Sequence, residues 1–202
     1  MRDFTAEHIA TLPPSGIRKF FDVVATMENV ISLGVGEPDF QTPKRVREAA
    51  IQSLAEGKTR YSSNWGMPKL REHIAHYLER RFGLVYDTDQ ILCTIGASEA
   101  IDVTLRTVLE IGDEVLIPEP SYVAYKPAVA LQHGVPVVVQ TKAECDFRLQ
   151  AEDLEKAITE KTKVLILPYP NNPTGAILEQ KELQEIAKVC IKHDLLVISD
   201  EI

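Results

Sequence analysis

Residues 163–168, KVLILP, run into the loop YPNNPTG at 169–175, a helical stretch at 179–193 and a second apolar run, LLVIS at 195–199, that ends on Asp200. Short β-branched runs separated by one amphipathic helix read as a βαβ unit, and such units imply parallel strands. Within 179–193, Leu183, Ile186, Ala187 and Cys190 fall at i, i+3, i+4 and i+7, which predicts one buried stripe. The pattern repeats upstream. Residues 151–159 read as a short helix, 135–140 (VPVVVQ) as a strand, and 122–132 as a helix interrupted by Pro127. Residues 114–118 (EVLIP) read as a strand, 97–110 as a helix behind Gly96, and 91–95 (ILCTI) as a strand. The strands are almost wholly apolar, as expected where helices cover both faces of a sheet. The fold class is therefore α/β, three layers around an open and mostly parallel sheet.

The first 90 residues differ. Residues 1–41 read as irregular, with Pro13-Pro14 and the turn-rich LGVGEPDF at 33–40. Thr42 is placed to cap a helix with Pro43 at its first position, ending before Gly57, and a second helix is expected from Pro68 to Phe82. The chain has 202 residues, 45% of them apolar, which is enough for a sizeable core. Its 22 Lys+Arg against 30 Asp+Glu give a net charge of −8, which argues against nucleic acid as a partner. No apolar run approaches the ~20 residues of a membrane helix. The N-terminus, MRDFTAEHIATLPP, carries acids and no apolar core, so no signal peptide is expected. Three well-separated cysteines (Cys93, Cys145, Cys190) fit a reducing cytoplasm.

Several residues could carry chemistry. Gly96-Ala97-Ser98 joins a strand to a helix N-terminus, where backbone N–H groups and the Ser98 hydroxyl could cradle a phosphate. Gly34-Val35-Gly36 is a G-x-G, but it lacks the third glycine and strand–turn–helix setting of a dinucleotide fingerprint, which argues against a Rossmann dehydrogenase. Asn171-Asn172-Pro173-Thr174-Gly175 follows a strand end, and Pro170, Pro173 and Gly175 can hold an Asn rigidly there. Asp200 ends another strand, and Tyr122 follows a third with an aromatic face for a flat ligand. His73 and His76 share a helix face without a third ligand, so no metal is expected, and Cys93 reads as core.

Together these segments resemble the class I/II aminotransferases, the fold-type I enzymes that use pyridoxal 5′-phosphate. The resemblance spans nearly the whole chain: SGIRKFFD at 15–22, ISLGVGEPDF at 31–40, RYSSNWGMPKLREHIA at 60–75, GASEAI at 96–101, DEVLIPEPSY at 113–122, PNNPTGAIL at 170–178 and VISDEI at 197–202. SGIRKFFD and GEPDF resemble the subgroup of prokaryotic aspartate and aromatic aminotransferases. The resemblance implies an N-terminal arm and small-domain segment at 1–41 and an incomplete cofactor-binding large domain at 42–202. It implies that Ala97 and Ser98 hold the cofactor's phosphate and that Tyr122 stacks on its ring. Asn172 would bond the ring's phenolic oxygen and the substrate carboxylate, and Asp200 would pair with the protonated pyridine nitrogen. A carboxylate there keeps the ring an electron sink. Gly36 would let the backbone approach the substrate carboxylate. Tyr61 would reach the phosphate of a neighbouring subunit in a homodimer.

The family's Schiff-base lysine, its phosphate-binding arginine and its substrate-gripping arginine lie downstream of the S-D-E motif, and the chain stops at Ile202. Stopping directly after a buried-type strand reads as a truncation. The expectation is an aminotransferase, moving an amino group from an L-amino acid to a 2-oxo acid, seen as a part that is inactive and unstable alone. Lys126 reads as a solvated helix residue, not a substitute. A carbon–sulfur lyase of the same fold, or a non-catalytic aminotransferase-like module, shares these residues and stays open at this point.

Overall fold

Val115, Ile117, Val164 and Ile166 turn to one face of a parallel sheet, while Leu116, Leu165 and Leu167 turn to the other. That alternation is the period of two of a strand, and both faces are apolar because helices cover both. A computed structural model describes residues 2, 4–13, 23, 26–31, 36 and 38–201. Residues 15–22, Gly34 of the G-x-G and Ile202 lie outside these. The chain divides into two compact units, Met1–Pro14 with Ile95–Ile202, and Ser15–Thr94.

In the first unit, helix α1 spans Glu7–Ala10, a turn of helix inside a segment expected to be irregular. Its His8 ring lies 4.3 Å from that of His133. Among the described residues of the other unit, we label the α-helices Lys44–Ala55 and Pro68–Phe82 α2 and α3. The first unit continues with α4 (Gly96–Val108), β1 (Glu114–Glu119), α5 (Tyr125–Leu131) and β2 (Val135–Gln140). It ends with α6 (Ala151–Lys156), β3 (Thr162–Leu167), α7 (Gln180–Lys192) and β4 (Leu196–Ser199). The strands lie in the order β2-β1-β3-β4, and every pair is parallel. Helices α4 and α5 bring Ile101, Leu105, Tyr125 and Val129 to one face. Helices α6 and α7 bring Leu154, Ile186, Val189 and Cys190 to the other.

Several expectations need correction. Residues 91–95 form no strand: a strand needs a ladder of backbone pairs, and the single bond from Cys93 N–H to the Trp65 carbonyl, at 3.0 Å, does not make one. Helix α5 is not interrupted by Pro127 but starts late enough to place that proline in its first turn, where a missing N–H costs no helical bond. The buried stripe of α7 is Ile186, Val189 and Cys190, whereas Leu183 is 41% exposed and Ala187 is exposed. Burial is also uneven across the sheet. β1 and β3 are sealed, but Leu196 and Val197 of the outer strand β4 are exposed.

In the second unit, Pro43 and not Thr42 is the cap residue of α2, and its carbonyl accepts from Val46 and Arg47 N–H. Helix α3 has Pro68 at its N-terminus and ends on Gly83, whose φ of +70° suits a glycine. Cys93 is partly buried against Gly66. His73 and His76 are exposed.

Candidate active site

Because the strands are parallel, Glu119, Leu167 and Ser199 all lie at the same edge of the sheet. The chain leaves β1 through α5 toward β2 on one side, and leaves β3 through α7 toward β4 on the other, with α5 and α7 on opposite faces. The order in which the chain winds across the sheet therefore reverses between β1 and β3, and α/β sheets bind ligands beyond the strand ends at such a point. Tyr122 follows β1, Asn171 and Asn172 follow β3, and Asp200 follows β4 directly.

Asp200 is fixed at two points. Its N–H donates to the Leu167 carbonyl at 3.1 Å, which extends the β3–β4 ladder. Its Oδ2 accepts a hydrogen bond from the Tyr125 hydroxyl at 2.7 Å. Tyr125 is 1% exposed, and burial, reinforced by the Asp200 carboxylate, pushes its phenol well above the usual tyrosine range. The hydroxyl is thus held as a donor. The Tyr122 ring meets the Tyr125 ring edge-on, with centroids 5.6 Å apart and planes at 82°, and Tyr122 is 37% exposed.

The two asparagines of the NNPTG loop differ in what they do. Asn171 is buried, and its Oδ1 accepts from both the N–H and the hydroxyl of Thr174, at 3.2 and 2.9 Å. Its backbone N–H donates to Ala176 and its carbonyl accepts from Gly175, at 2.9 and 2.8 Å. Asn172, by contrast, is exposed and available for a ligand. Ala97 and Ser98 lie exposed in the first turn of α4, where backbone N–H groups have no intrahelical acceptor. Gly96 enters that turn at φ +76°, and Glu99 reaches back to accept from Ile95 N–H.

Tyr122, Asn172 and Asp200 thus share one sheet edge. Tyr61 and Gly36 belong to the Ser15–Thr94 unit, where Tyr61 is fully exposed and Gly36 has open space where a side chain would stand. Lys126 is paired with Glu119, 2.5 Å away. Sequence reading overlooked Tyr125 and Asn171. The signals were present: Tyr125 stands three residues beyond Tyr122 at a helix start, and Asn-x-x-Thr is a spacing that closes a turn. Among the described residues no group of His, Cys, Asp and Glu is arranged to hold a metal ion, and no helix is long and apolar enough to cross a membrane.

A three-layer parallel unit with an acid, an amide and an aromatic ring at neighbouring strand ends defines an α/β protein of the doubly wound kind, with these residues grouped where the winding reverses. Residues 28–202 match the family model for aminotransferase class I and II, and the chain belongs to that family. It is 47% identical over 198 residues to an aspartate aminotransferase of Pyrococcus abyssi, covering 98% of this chain and 51% of that protein. It is 46% identical over 198 residues to aromatic-amino-acid aminotransferase 2 of Thermococcus litoralis, with the same coverage. The solved aspartate aminotransferase of Rhizobium meliloti superposes with a TM-score of 0.92 at 34% identity, covering 98% of this chain and 51% of that one. The chain spans about half the length of the curated relatives it matches.

Proposed function

We propose that this chain carries the cofactor-facing part of an aminotransferase that moves an amino group from an L-amino acid to a 2-oxo acid with pyridoxal 5′-phosphate. The observation that carries this reading is the Asp200 carboxylate, anchored at a strand end by its backbone and by Tyr125, whose ring also meets that of Tyr122. The residues suit that cofactor. A flat cationic ring needs an aromatic wall and a carboxylate, and a phosphate needs helix N–H groups uncovered by bulky side chains. Tyr122 retains accessible ring surface, and Ala97 and Ser98 are small and exposed.

When bound, the cofactor supplies an electron sink for breaking a bond at the substrate's Cα. The first turn of α4, with the Ser98 hydroxyl, binds the phosphate dianion through N–H donors and the helix dipole. Tyr122 orients the ring. Asp200 holds a proton on the pyridine nitrogen, which keeps the ring cationic. Asn172 donates to the phenolic oxygen and to the substrate carboxylate. Gly36 gives that carboxylate access to backbone, and Tyr61 reaches the phosphate in a partner subunit of a homodimer. The segment 1–41 is proposed as an arm and small-domain piece, and 42–202 as the cofactor-binding domain. Three free thiols support a cytoplasmic setting.

The test uses the protein as its native gene encodes it. Wild type should bind pyridoxal phosphate and transfer an amino group to a 2-oxo acid. Asp200→Ala should abolish transfer, and Asn172→Ala should weaken it by about 10²-fold or more. Release of ammonia and pyruvate without transfer would overturn the reading. The 202-residue chain alone should give no turnover, since Lys126 is tied to Glu119 and the family's lysine is expected elsewhere. Measurable turnover by that chain would remove this part of the proposal.

A further inference from the structure

We propose that Tyr125 is a positioning residue for Asp200, its hydroxyl holding one carboxylate oxygen so that the other is kept for the cofactor's ring nitrogen. The inference rests on the cofactor reading above. Its own support is geometric. Tyr125 opens α5 and is packed among Ile101, Leu105, Ile117, Val129 and Ile166, so its ring is placed by the core and not by the acid. The hydroxyl at the end of that ring meets Oδ2 of a residue 75 positions away at 2.7 Å. A buried hydroxyl requires a partner, and a charge-assisted bond to a carboxylate is among the stronger ones available.

The choice of partner has a consequence for charge. Lysine or arginine at this point would neutralise Asp200. A phenol, held protonated by its burial, orients the carboxylate and leaves its negative charge uncancelled. A cationic ring then finds a full counter-charge in a fixed orientation. With its backbone bonded to Leu167 and one oxygen bonded to Tyr125, Asp200 loses the side-chain freedom it would otherwise give up on binding. Tyr122 extends the arrangement: its ring is supported edge-on by the same Tyr125. One buried residue thereby places both the acid and the aromatic wall.

The experiment is a double-mutant cycle on pyridoxal phosphate binding by the gene-encoded protein, read by cofactor absorbance across pH. Tyr125→Phe keeps the ring and removes the hydroxyl. It should weaken binding about tenfold and shift the pH at which the bound cofactor's absorption changes. In an Asp200→Asn background the same change should cost no more than about twofold. Equal losses in both backgrounds, or none in either, would overturn the proposal. Should Tyr125→Phe not fold, 3-fluorotyrosine at 125 alters hydroxyl acidity at nearly constant volume. It should move the pH profile, and an unmoved profile would equally overturn the proposal. If Asp200→Asn weakens binding while Tyr125→Phe does not, only this inference fails. If Asp200→Asn binds the cofactor as wild type does, the site reading fails and takes the inference with it.

Discussion

Leu149 donates its backbone N–H to the Tyr169 hydroxyl at 3.0 Å, and that hydroxyl donates onward to the Phe147 carbonyl at 3.0 Å. Both Leu149 and Tyr169 are buried, so the tyrosine ties the segment after β2 to the start of the NNPTG loop without exposing either. Tyr169→Phe should therefore leave a buried N–H unpaired and cost about 1–3 kcal/mol, measured by chemical denaturation.

The same phenol should make stability fall in alkali. Burial, with the Glu182 charge adding to it, pushes its pKa up to about 12. Below the unfolded value near 10, phenol is neutral in both states and its contribution is fully present. As pH rises from 10, the unfolded chain ionises first, so stability declines until the folded phenol also ionises. The loss approaches about 2 kcal/mol over that window. Tyr169→Phe should flatten this part of the stability–pH curve. An equally steep decline in the variant would show that other groups cause it.

On α7, Ile186 is 2% exposed and Leu183 is 41% exposed. Ile186→Ala should cost about 2–5 kcal/mol, while Leu183→Ala should stay within roughly 1 kcal/mol of wild type. Equal costs in denaturant titrations would restore the stripe expected from spacing alone.

Gly66 sits at φ +96°, and an added Cβ would stand 2.6 Å from the Cβ and Sγ of Cys93. Gly66→Ala should destabilise the Ser15–Thr94 unit by about 1–3 kcal/mol. Hydrogen exchange at the Cys93 amide, which is bonded to Trp65, should accelerate.

What the sequence made legible follows from the range of the forces involved. Helix α3 was readable to its last residue because Pro68 and Gly83 act locally on the backbone. Strands β1 to β3 were readable because their apolar runs are short, β-branched and bounded by turns. ILCTI at 91–95 has the same composition and is no strand, because pairing depends on what lies beside it and not on its residues. The site divided in the same way. Asp200, Asn172 and Tyr122 were singled out from strand ends and motif, and the structure places all three after strands at the same end of the sheet. Tyr125 was not singled out, because its hydroxyl bonds to a residue 75 positions away in sequence. Nor was the division of labour between Asn171 and Asn172, since which of two adjacent amides turns inward is settled by the loop's own hydrogen bonds.

The Trp65 carbonyl that takes the Cys93 N–H belongs to the sole tryptophan of the chain. Indole emission is thus a reporter confined to the Ser15–Thr94 unit, while far-ultraviolet dichroism sums the helices and strands of both units. Recording both signals on one thermal ramp compares the Trp65 unit with the chain as a whole. Coincident curves would make the chain a single cooperative block, and an indole signal that moves first would make the Trp65 unit the part that opens ahead of the sheet.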